Sequence, residues 1–174
     1  VELFETVKAV GLELCPQLGI AIPVGKDSLS MRTLWNGADG TPYRQHAPLS
    51  LIVSAFAPVQ DARLTVTPDL KPGASGLLLI DLGLGRNRLG GSALAQVFNQ
   101  TGNACPDLDD PARLRRLFEA VQRLVANRKI QALHDRSDGG VVVTLAEMAM
   151  AGGRGVTVNV PGPSDQPLAA LFSE

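Results

Sequence analysis

A nearly uninterrupted apolar run at residues 76–82 (GLLLIDL) constrains the fold of this chain more than any other feature of its sequence. Successive side chains of a strand point to opposite faces, so a run with so few polar residues predicts a strand buried on both faces. Strands of this kind belong to sheets that have helices packed against them. The run therefore favours an α/β architecture in the second half of the chain.

The segments after this run alternate between helix and strand signals. Helix patterns cover residues 92–100, 110–127 and 140–151, and short apolar strands are predicted at residues 130–133 and 156–160. Asp110 followed by Pro111 is a good helix start, and Gly152 with Gly153 is a good helix end. Alternating strands and helices predict the α/β (α+β) fold class.

The first part of the chain has its own pattern. One-sided apolar spacing predicts a helix over residues 3–14 that Pro16 ends, and extended segments are predicted at residues 19–24, 29–35 and 48–57. Residues 60–75 combine proline, glycine and charge, which is typical of a connection between structural units. The sequence therefore predicts two structural units joined by this connection.

Composition excludes several classes of function. Of the 174 residues, 45% are apolar and 19% are charged, which supports a packed core. The net charge of −1 gives no basis for binding nucleic acid or an acidic membrane surface. No apolar run approaches the roughly 18 residues of a membrane span, and no signal peptide opens the chain. Cys15 and Cys105 have neither metal-site spacing nor a disulfide framework, which indicates a reducing cytoplasm.

Residues 134–140 (HDRSDGG) combine an imidazole, two carboxylates, a guanidinium and a hydroxyl group with two glycines. Two glycines at the start of a predicted helix let the backbone approach a ligand closely and offer unpaired N–H groups to an anion. Carboxylates beside such a place suggest a hard cation, most simply Mg²⁺. The stretch predicts a metal–phosphate site, in which His134 is a base, a ligand or a hydrogen-bonded structural residue.

A second candidate is Gly25-Lys26-Asp27-Ser28, which follows an apolar segment. Glycine permits close approach, lysine supplies a point charge, and serine and backbone N–H groups bind phosphate oxygens. Taken alone, this tetrapeptide is either a surface turn or a phosphate-binding loop.

Residues 83–88 (GLGRNR) lie between a strand and a helix but lack the third glycine of a dinucleotide-binding fingerprint. They are interpreted as a glycine-rich connection, from which Arg86 and Arg88 could still reach a phosphate. Asp109 and Asp110 are interpreted as helix-capping residues. No clear nucleophile emerges, so the residues alone indicate a phosphate- or nucleotide-binding α/β protein.

Two long motifs carry a specific resemblance. Residues 19–31 (GIAIPVGKDSLSM) and residues 134–148 (HDRSDGGVVVTLAEM), in this order, closely resemble the phosphoribosylformylglycinamidine synthase family in its large single-chain form. Residues 48–56 and residues 77–83 are similar as well. The resemblance covers almost the whole chain.

The resemblance implies a ligase of the fourth step of purine biosynthesis, which converts formylglycinamide ribonucleotide, glutamine and ATP to the amidine, ADP, phosphate and glutamate. Its synthetase core would hold two copies of an aminoimidazole-ribonucleotide-synthetase-like unit, each with an N-terminal-type and a C-terminal-type domain. Residues 1–65 would be the end of the first type in the second copy, and residues 66–174 most of the second type, truncated.

The resemblance also implies roles for single residues. Asp135 would be a Mg²⁺ ligand and Ser137 a nucleotide contact in an auxiliary ADP site that is structural and not the site of turnover. His134 would then not be a catalytic histidine. Gly25 would lie against ATP, and Ser28 against the substrate. Lys26 stands where smaller relatives place a metal-binding asparagine, so it is expected to contact a phosphate. No catalytic residue is carried over.

The implied partners are ATP or ADP and formylglycinamide ribonucleotide in the full enzyme, with the first half of the synthetase core and a glutaminase domain in cis. The chain by itself is then expected to lack synthetase activity, and the enzyme to be cytoplasmic. An alternative is a stand-alone nucleotide-binding module of the same superfamily. Selenophosphate synthetases and thiamine-phosphate kinases rank lower because they lack the string at residues 23–31.

Overall fold

The computed structural model describes residues 2–28, 31–73, 75–159 and 166–174. The chain divides into two compact units, Val1–Pro58 and Val59–Glu174. Residues 59–65, which the sequence analysis assigns to the first domain, cluster with the second unit.

The first unit begins with a helical segment in three parts. Helix α1 spans Glu2–Lys8, a π-helical stretch spans Ala9–Leu14, and helix α2 spans Cys15–Leu18. The prediction that Pro16 ends this helix is wrong, because the helix continues until Gly19 adopts a left-handed conformation with φ of 72°. The wider π-helical turn ahead of Pro16 shifts the hydrogen-bond register, so that the missing proline N–H breaks no regular ladder.

A two-stranded antiparallel hairpin follows. Strand β1 spans Arg32–Asn36 and strand β2 spans Pro42–His46. The rings of Trp35 and Tyr43 face each other in this register and stack, with centroids 5.4 Å apart. The side chain of Asp39 closes the turn by accepting two hydrogen bonds from the residue that precedes β2, a typical turn role for aspartate.

The described part of the second unit contains helices and no strand, and the helices predicted at residues 92–100, 110–127 and 140–151 are present. Its described residues form a short 3₁₀ helix, Ala62–Leu64, and four α-helices: α3 (Ala93–Val97), α4 (Pro111–Ala126), α5 (Gly140–Gly152) and α6 (Pro167–Phe172). The predictions of α4 and α5 are confirmed, and α3 is shorter than the predicted 92–100.

Local capping explains where these helices begin and end. Asp110 accepts hydrogen bonds from the N–H groups of Ala112 (3.0 Å) and Arg113 (3.3 Å), which caps α4. Ser92 accepts one from Ala95 N–H at 3.2 Å, which caps α3. Gly153 ends α5 with φ of 58°, a conformation that favours glycine.

The other predicted strands are not formed. No described residue of the segments 19–24, 48–57, 76–82, 130–133 or 156–159 belongs to a strand ladder; residues 29, 30 and 160, which the predictions also included, lie outside the described residues. A strand requires a neighbouring strand to pair its backbone groups, and the described residues offer these apolar segments none. Several of their side chains are consequently exposed, including Ile52 at 90% and Phe56 at 93%.

The helices together with the hairpin confirm the mixed α/β class. In the second unit, the buried apolar side chains belong to α5 (Val141 and Met148) and α6 (Ala169 and Ala170), two helices that pack together. None of the helices in the described ranges has both the length and the apolar character that crossing a membrane requires.

Candidate functional site

Asp135, the predicted metal ligand, and Ser137, one of the predicted nucleotide contacts, lie on one loop, residues 134–139, that leads into α5. Before the loop, Leu133 N–H donates to Thr67 O at 3.3 Å. At its end, Gly139 and Gly140 both adopt positive φ, of 85° and 67°. Because L side chains rarely adopt such conformations, the two glycines let the chain turn sharply from the loop into the helix.

Asp135 presents its carboxylate to solvent. Its side chain is 88% exposed, and Nδ1 of His134 lies 3.4 Å from its Oδ1. The backbone carbonyl of Asp135 accepts a hydrogen bond from the Thr144 hydroxyl at 3.4 Å, so the backbone of the loop contacts α5. The carboxylate therefore remains accessible while its backbone is attached to the helix.

His134 connects the loop to the middle of α5. Its side chain is 17% exposed, and Nε2 lies 2.9 Å from Oε2 of Glu147. With one ring nitrogen against Glu147 and the other near Asp135, the imidazole has carboxylate neighbours on both sides. This arrangement favours the interpretation of His134 as a hydrogen-bonded structural residue.

Ser137 is exposed, and its carbonyl accepts the Gly140 N–H at 2.9 Å, which forms the turn before α5. Among the residues that the structure describes, its hydroxyl has no hydrogen-bond partner, so it is available to a ligand. Asp135 and Ser137 are thus brought onto one exposed loop, as the sequence predicted.

A contact that the sequence analysis missed attaches this loop to the earlier glycine loop. The guanidinium of Arg136 lies 3.5 Å from Oδ1 of Asp81. The same carboxylate accepts the N–H groups of Gly83 at 2.9 Å and Gly85 at 2.6 Å. The signal in the sequence was the single carboxylate inside the apolar run at residues 76–82.

Both arginines of the glycine loop, Arg86 and Arg88, form ion pairs with Asp109. Its carboxylate contacts Nη1 of Arg86 and Nη2 of Arg88, each at 2.8 Å. The Arg88 hydrogen bond is the main cause that lowers the pKa of Asp109, and the Arg86 charge adds to it. Asp109 is therefore the shared counterion of two arginines, so its interpretation as a helix cap is wrong, whereas that of Asp110 is confirmed.

The second predicted group lies in the first unit. Nζ of Lys26 donates to Oγ of Ser28 at 2.9 Å and to the carbonyl of Asp27. Apart from its two chain neighbours, no described residue places a heavy atom within 4 Å of where a Cβ of Gly25 would stand. All four residues of the tetrapeptide are exposed.

The donors available to a metal are few. Among the described residues, no group of three or more histidine, cysteine or acidic side chains could hold a metal ion. Mg²⁺ is often bound by one or two carboxylates together with waters and nucleotide phosphates. The exposed carboxylate of Asp135 therefore fits one ligand of a Mg²⁺–nucleotide site and does not form a complete metal centre.

A separate open cleft of about 660 Å³ lies in the second unit. Its polar lining includes Lys71, Ser75 and Arg154, and none of the predicted site residues lines it. The candidate site is therefore a surface loop and not an enclosed cavity.

Two family models match the sequence. The one described as "FGAR-AT PurM_N-like domain" matches residues 1–58. The one described as "AIR synthase related protein, C-terminal domain" matches residues 74–174 and thus more than half of the chain.

Proposed function

The chain belongs to the family of AIR synthase related proteins, and on this basis we propose that it is part of the glutamine-dependent ligase that converts formylglycinamide ribonucleotide to formylglycinamidine ribonucleotide. The two matches together fit a fragment of formylglycinamide ribonucleotide amidotransferase, because an FGAR-AT-type segment precedes the AIR synthase C-terminal domain. This order of domains is the observation that carries the proposal.

The proposed reaction activates an amide. The γ-phosphoryl group of ATP passes to the amide oxygen of the substrate and leaves ADP. Ammonia released from glutamine then attacks the resulting iminophosphate carbon and displaces inorganic phosphate. Mg²⁺ bound with the nucleotide supplies charge neutralisation at the phosphate oxygens.

We propose that Asp135 and Ser137 contribute to a nucleotide site that stabilises the enzyme and does not turn over. Asp135 would hold Mg²⁺ through its carboxylate, and Ser137 would bind the nucleotide through its hydroxyl. Their exposure on one loop supports this, because both polar groups are accessible from solvent. The hydrogen bonds that the carbonyls of Asp135 and Ser137 accept from the Thr144 hydroxyl and the Gly140 N–H support a loop that is partly ordered before a ligand arrives.

For the first unit, we propose that Lys26 contacts a phosphate, Gly25 lies along ATP, and Ser28 contacts the substrate. The hydrogen bond from Lys26 Nζ to Ser28 Oγ supports the first and last of these roles, since it keeps an ammonium group and a hydroxyl within 2.9 Å of each other. The open space around Gly25 is compatible with close approach of a ligand.

The domain assignment is part of the proposal. Residues 1–65 would form the C-terminal part of an N-terminal-type domain, and residues 66–174 a C-terminal-type domain. The partners in cis would be the other half of the synthetase core and a glutaminase domain. The two cysteines, one buried and one exposed, are both free thiols, which supports a reducing, cytoplasmic location.

We further propose that the chain by itself has no synthetase activity, since the proposed reaction also requires the other half of the synthetase core. The test is ADP release from ATP in the presence of formylglycinamide ribonucleotide and an ammonium salt. Enzyme-dependent release well above background would contradict this proposal.

The nucleotide site is tested by calorimetric titration with Mg-ADP. For the isolated chain we expect a Kd weaker than about 10 μM, which corresponds to about −7 kcal/mol. In the full-length protein, Asp135→Asn should weaken Mg-ADP binding, whereas Asp138→Asn, which removes the other carboxylate of the same exposed loop, should not. Equal affinities for the two variants would refute the role of Asp135.

The alternative function is a stand-alone nucleotide-binding module of the same superfamily. The two proposals differ in the gene that encodes the chain: a longer reading frame with a glutaminase domain supports the ligase, and a frame limited to this chain supports the module.

A further inference from the structure

We propose that Glu174 is a positioning residue that holds the loop of residues 134–139 in its binding geometry. The proposal rests on the proposed nucleotide site, because it assigns Glu174 the role of fixing the backbone from which Asp135 and Ser137 project.

One carboxylate oxygen of Glu174 joins two elements. Its Oε1 accepts the backbone N–H of Gly139 at 2.8 Å and that of Ala93 at 2.7 Å. These N–H groups lie at the starts of α5 and α3, where the backbone donors have no partner inside the helix. A carboxylate acceptor at such a place forms charge-assisted bonds, which are stronger than bonds between neutral groups.

The carboxylate is itself held in place by its neighbours. The side chain of Ser173 is almost fully buried, and its hydroxyl lies 3.3 Å from Oδ1 of Asn87. The backbone of Leu171 and Phe172 packs so closely on Gly140 that a Cβ there would lie 2.7 Å from their atoms. The segment from Leu171 to Glu174 is therefore fixed against the start of α5 before any ligand binds.

The loop needs this support because its own backbone is permissive. Gly139 and Gly140 lack side chains to restrict them, and both are buried. Without Glu174, the Gly139 N–H would lose its carboxylate acceptor, and a buried donor without a partner is costly. The loop would then sample further conformations, and a ligand would have to order it on binding.

The remaining attachments of the loop act elsewhere. Arg136 contacts Asp81 at 3.5 Å on the N-terminal side of Ser137, and His134 contacts Glu147 at 2.9 Å. Glu174 acts through the Gly139 backbone on the C-terminal side of Ser137. Ser137 therefore lies in a segment that is attached on both sides. Among the described residues, Glu174 is the only charged side chain that accepts a hydrogen bond from Gly139.

The first measurement is amide hydrogen exchange in Glu174→Gln. We expect exchange at Gly139 and Ala93 to accelerate together, about tenfold or more, since one oxygen accepts both bonds. Unchanged exchange in α4 would show that the variant remains folded. The matched control is Glu119→Gln, which removes an exposed carboxylate paired with Arg115 at 3.2 Å on α4 and should leave both amides unchanged.

The second measurement is the Kd of the full-length protein for Mg-ADP. Residues that orient a metal ligand typically change affinity by about 10–100-fold when removed, and we expect a loss of about tenfold in Glu174→Gln and none in Glu119→Gln. Faster exchange with an unchanged Kd would overturn the positioning role and leave Glu174 as a helix cap. Unchanged exchange at both amides would overturn the anchoring itself.

Failure of the proposed function gives a different result. If the unmodified full-length protein binds no Mg-ADP, the nucleotide site is refuted and the ligand-positioning role with it. Accelerated exchange at Gly139 and Ala93 would then still establish the anchor as a structural contact.

Discussion

Replacing Gly140 by alanine tests the packing of the candidate site most directly. Gly140 begins α5 with φ of 67°, and a Cβ added there would lie 2.7 Å from the carbonyl oxygen of Leu171 and from backbone atoms of Phe172. A backbone cannot rotate away as the end of a flexible side chain can. The substitution therefore combines conformational strain with a steric clash.

The size of the effect follows from these two terms. A left-handed conformation costs an L residue about 1–2 kcal/mol relative to glycine, and overpacking a closely packed place costs about 1–3 kcal/mol. We expect Gly140→Ala to lower the free energy of unfolding by about 2–5 kcal/mol in total. For a chain of this length, a loss of about 3 kcal/mol lowers Tm by about 6–12 °C.

Two other glycines separate the terms. Gly153 has φ of 58° and no heavy atom within 4 Å of the added Cβ, so Gly153→Ala should show the strain alone, about 1–2 kcal/mol. Gly155 has open space and no positive φ, so Gly155→Ala should change stability by no more than about 0.5 kcal/mol or stabilise slightly.

Urea unfolding followed by the far-ultraviolet circular dichroism of the helices measures all three variants. The expected order of destabilisation is Gly140→Ala, then Gly153→Ala, then Gly155→Ala. If Gly140→Ala and Gly153→Ala were equally destabilised, the backbone of Leu171 and Phe172 would not lie against Gly140, and the segment that ends at Glu174 would not be fixed there.

Two further predictions concern single polar contacts. Asp109→Asn should lower Tm at neutral pH because it removes the counterion of Arg88. The folded-state pKa of Asp109 is lowered, so the stability that its carboxylate contributes is complete above the unfolded-state pKa of about 4 and is lost as the pH falls through the lower folded-state pKa. The Tm difference from the unmodified chain should therefore shrink in acid, and a constant difference would refute the ion pair. Ser92→Ala removes a buried hydroxyl that caps α3 and donates to Leu89 O at 2.7 Å, and should cost about 1–2 kcal/mol in urea unfolding, whereas Ser50→Ala, at an exposed hydroxyl, should cost less than about 0.5 kcal/mol.

Helices α4 and α5 were predictable because their signals are local. Asp110 and Pro111 define the start of α4, and Gly153 defines the end of α5, through hydrogen bonds and φ values that involve residues within one turn. The strands were not predictable in the same way. The apolar run at residues 76–82 has the composition of a buried strand, yet a strand exists only when another segment pairs with it, and the described residues provide no such partner.

The same distinction applies to the candidate site. Asp135 and Ser137 were predicted as site residues from the sequence because a short motif contains both. The two glycines that follow them predicted the turn into α5. The two counterions that organise the neighbourhood, Asp81 for Arg136 and Asp109 for Arg88, were missed. Each joins residues that lie far apart in the sequence, and no local spacing indicates which charges will meet.

The sequence by itself determined the family, the fold class, the ends of α4 and α5 and the loop that carries Asp135 and Ser137, because each depends on residues that are close together along the chain. Only the tertiary structure decided that Glu174 meets Gly139 and Ala93. A carboxylate accepts hydrogen bonds from any N–H group within reach, so its partners are set by the packing of α5 and α6 and not by its position in the sequence.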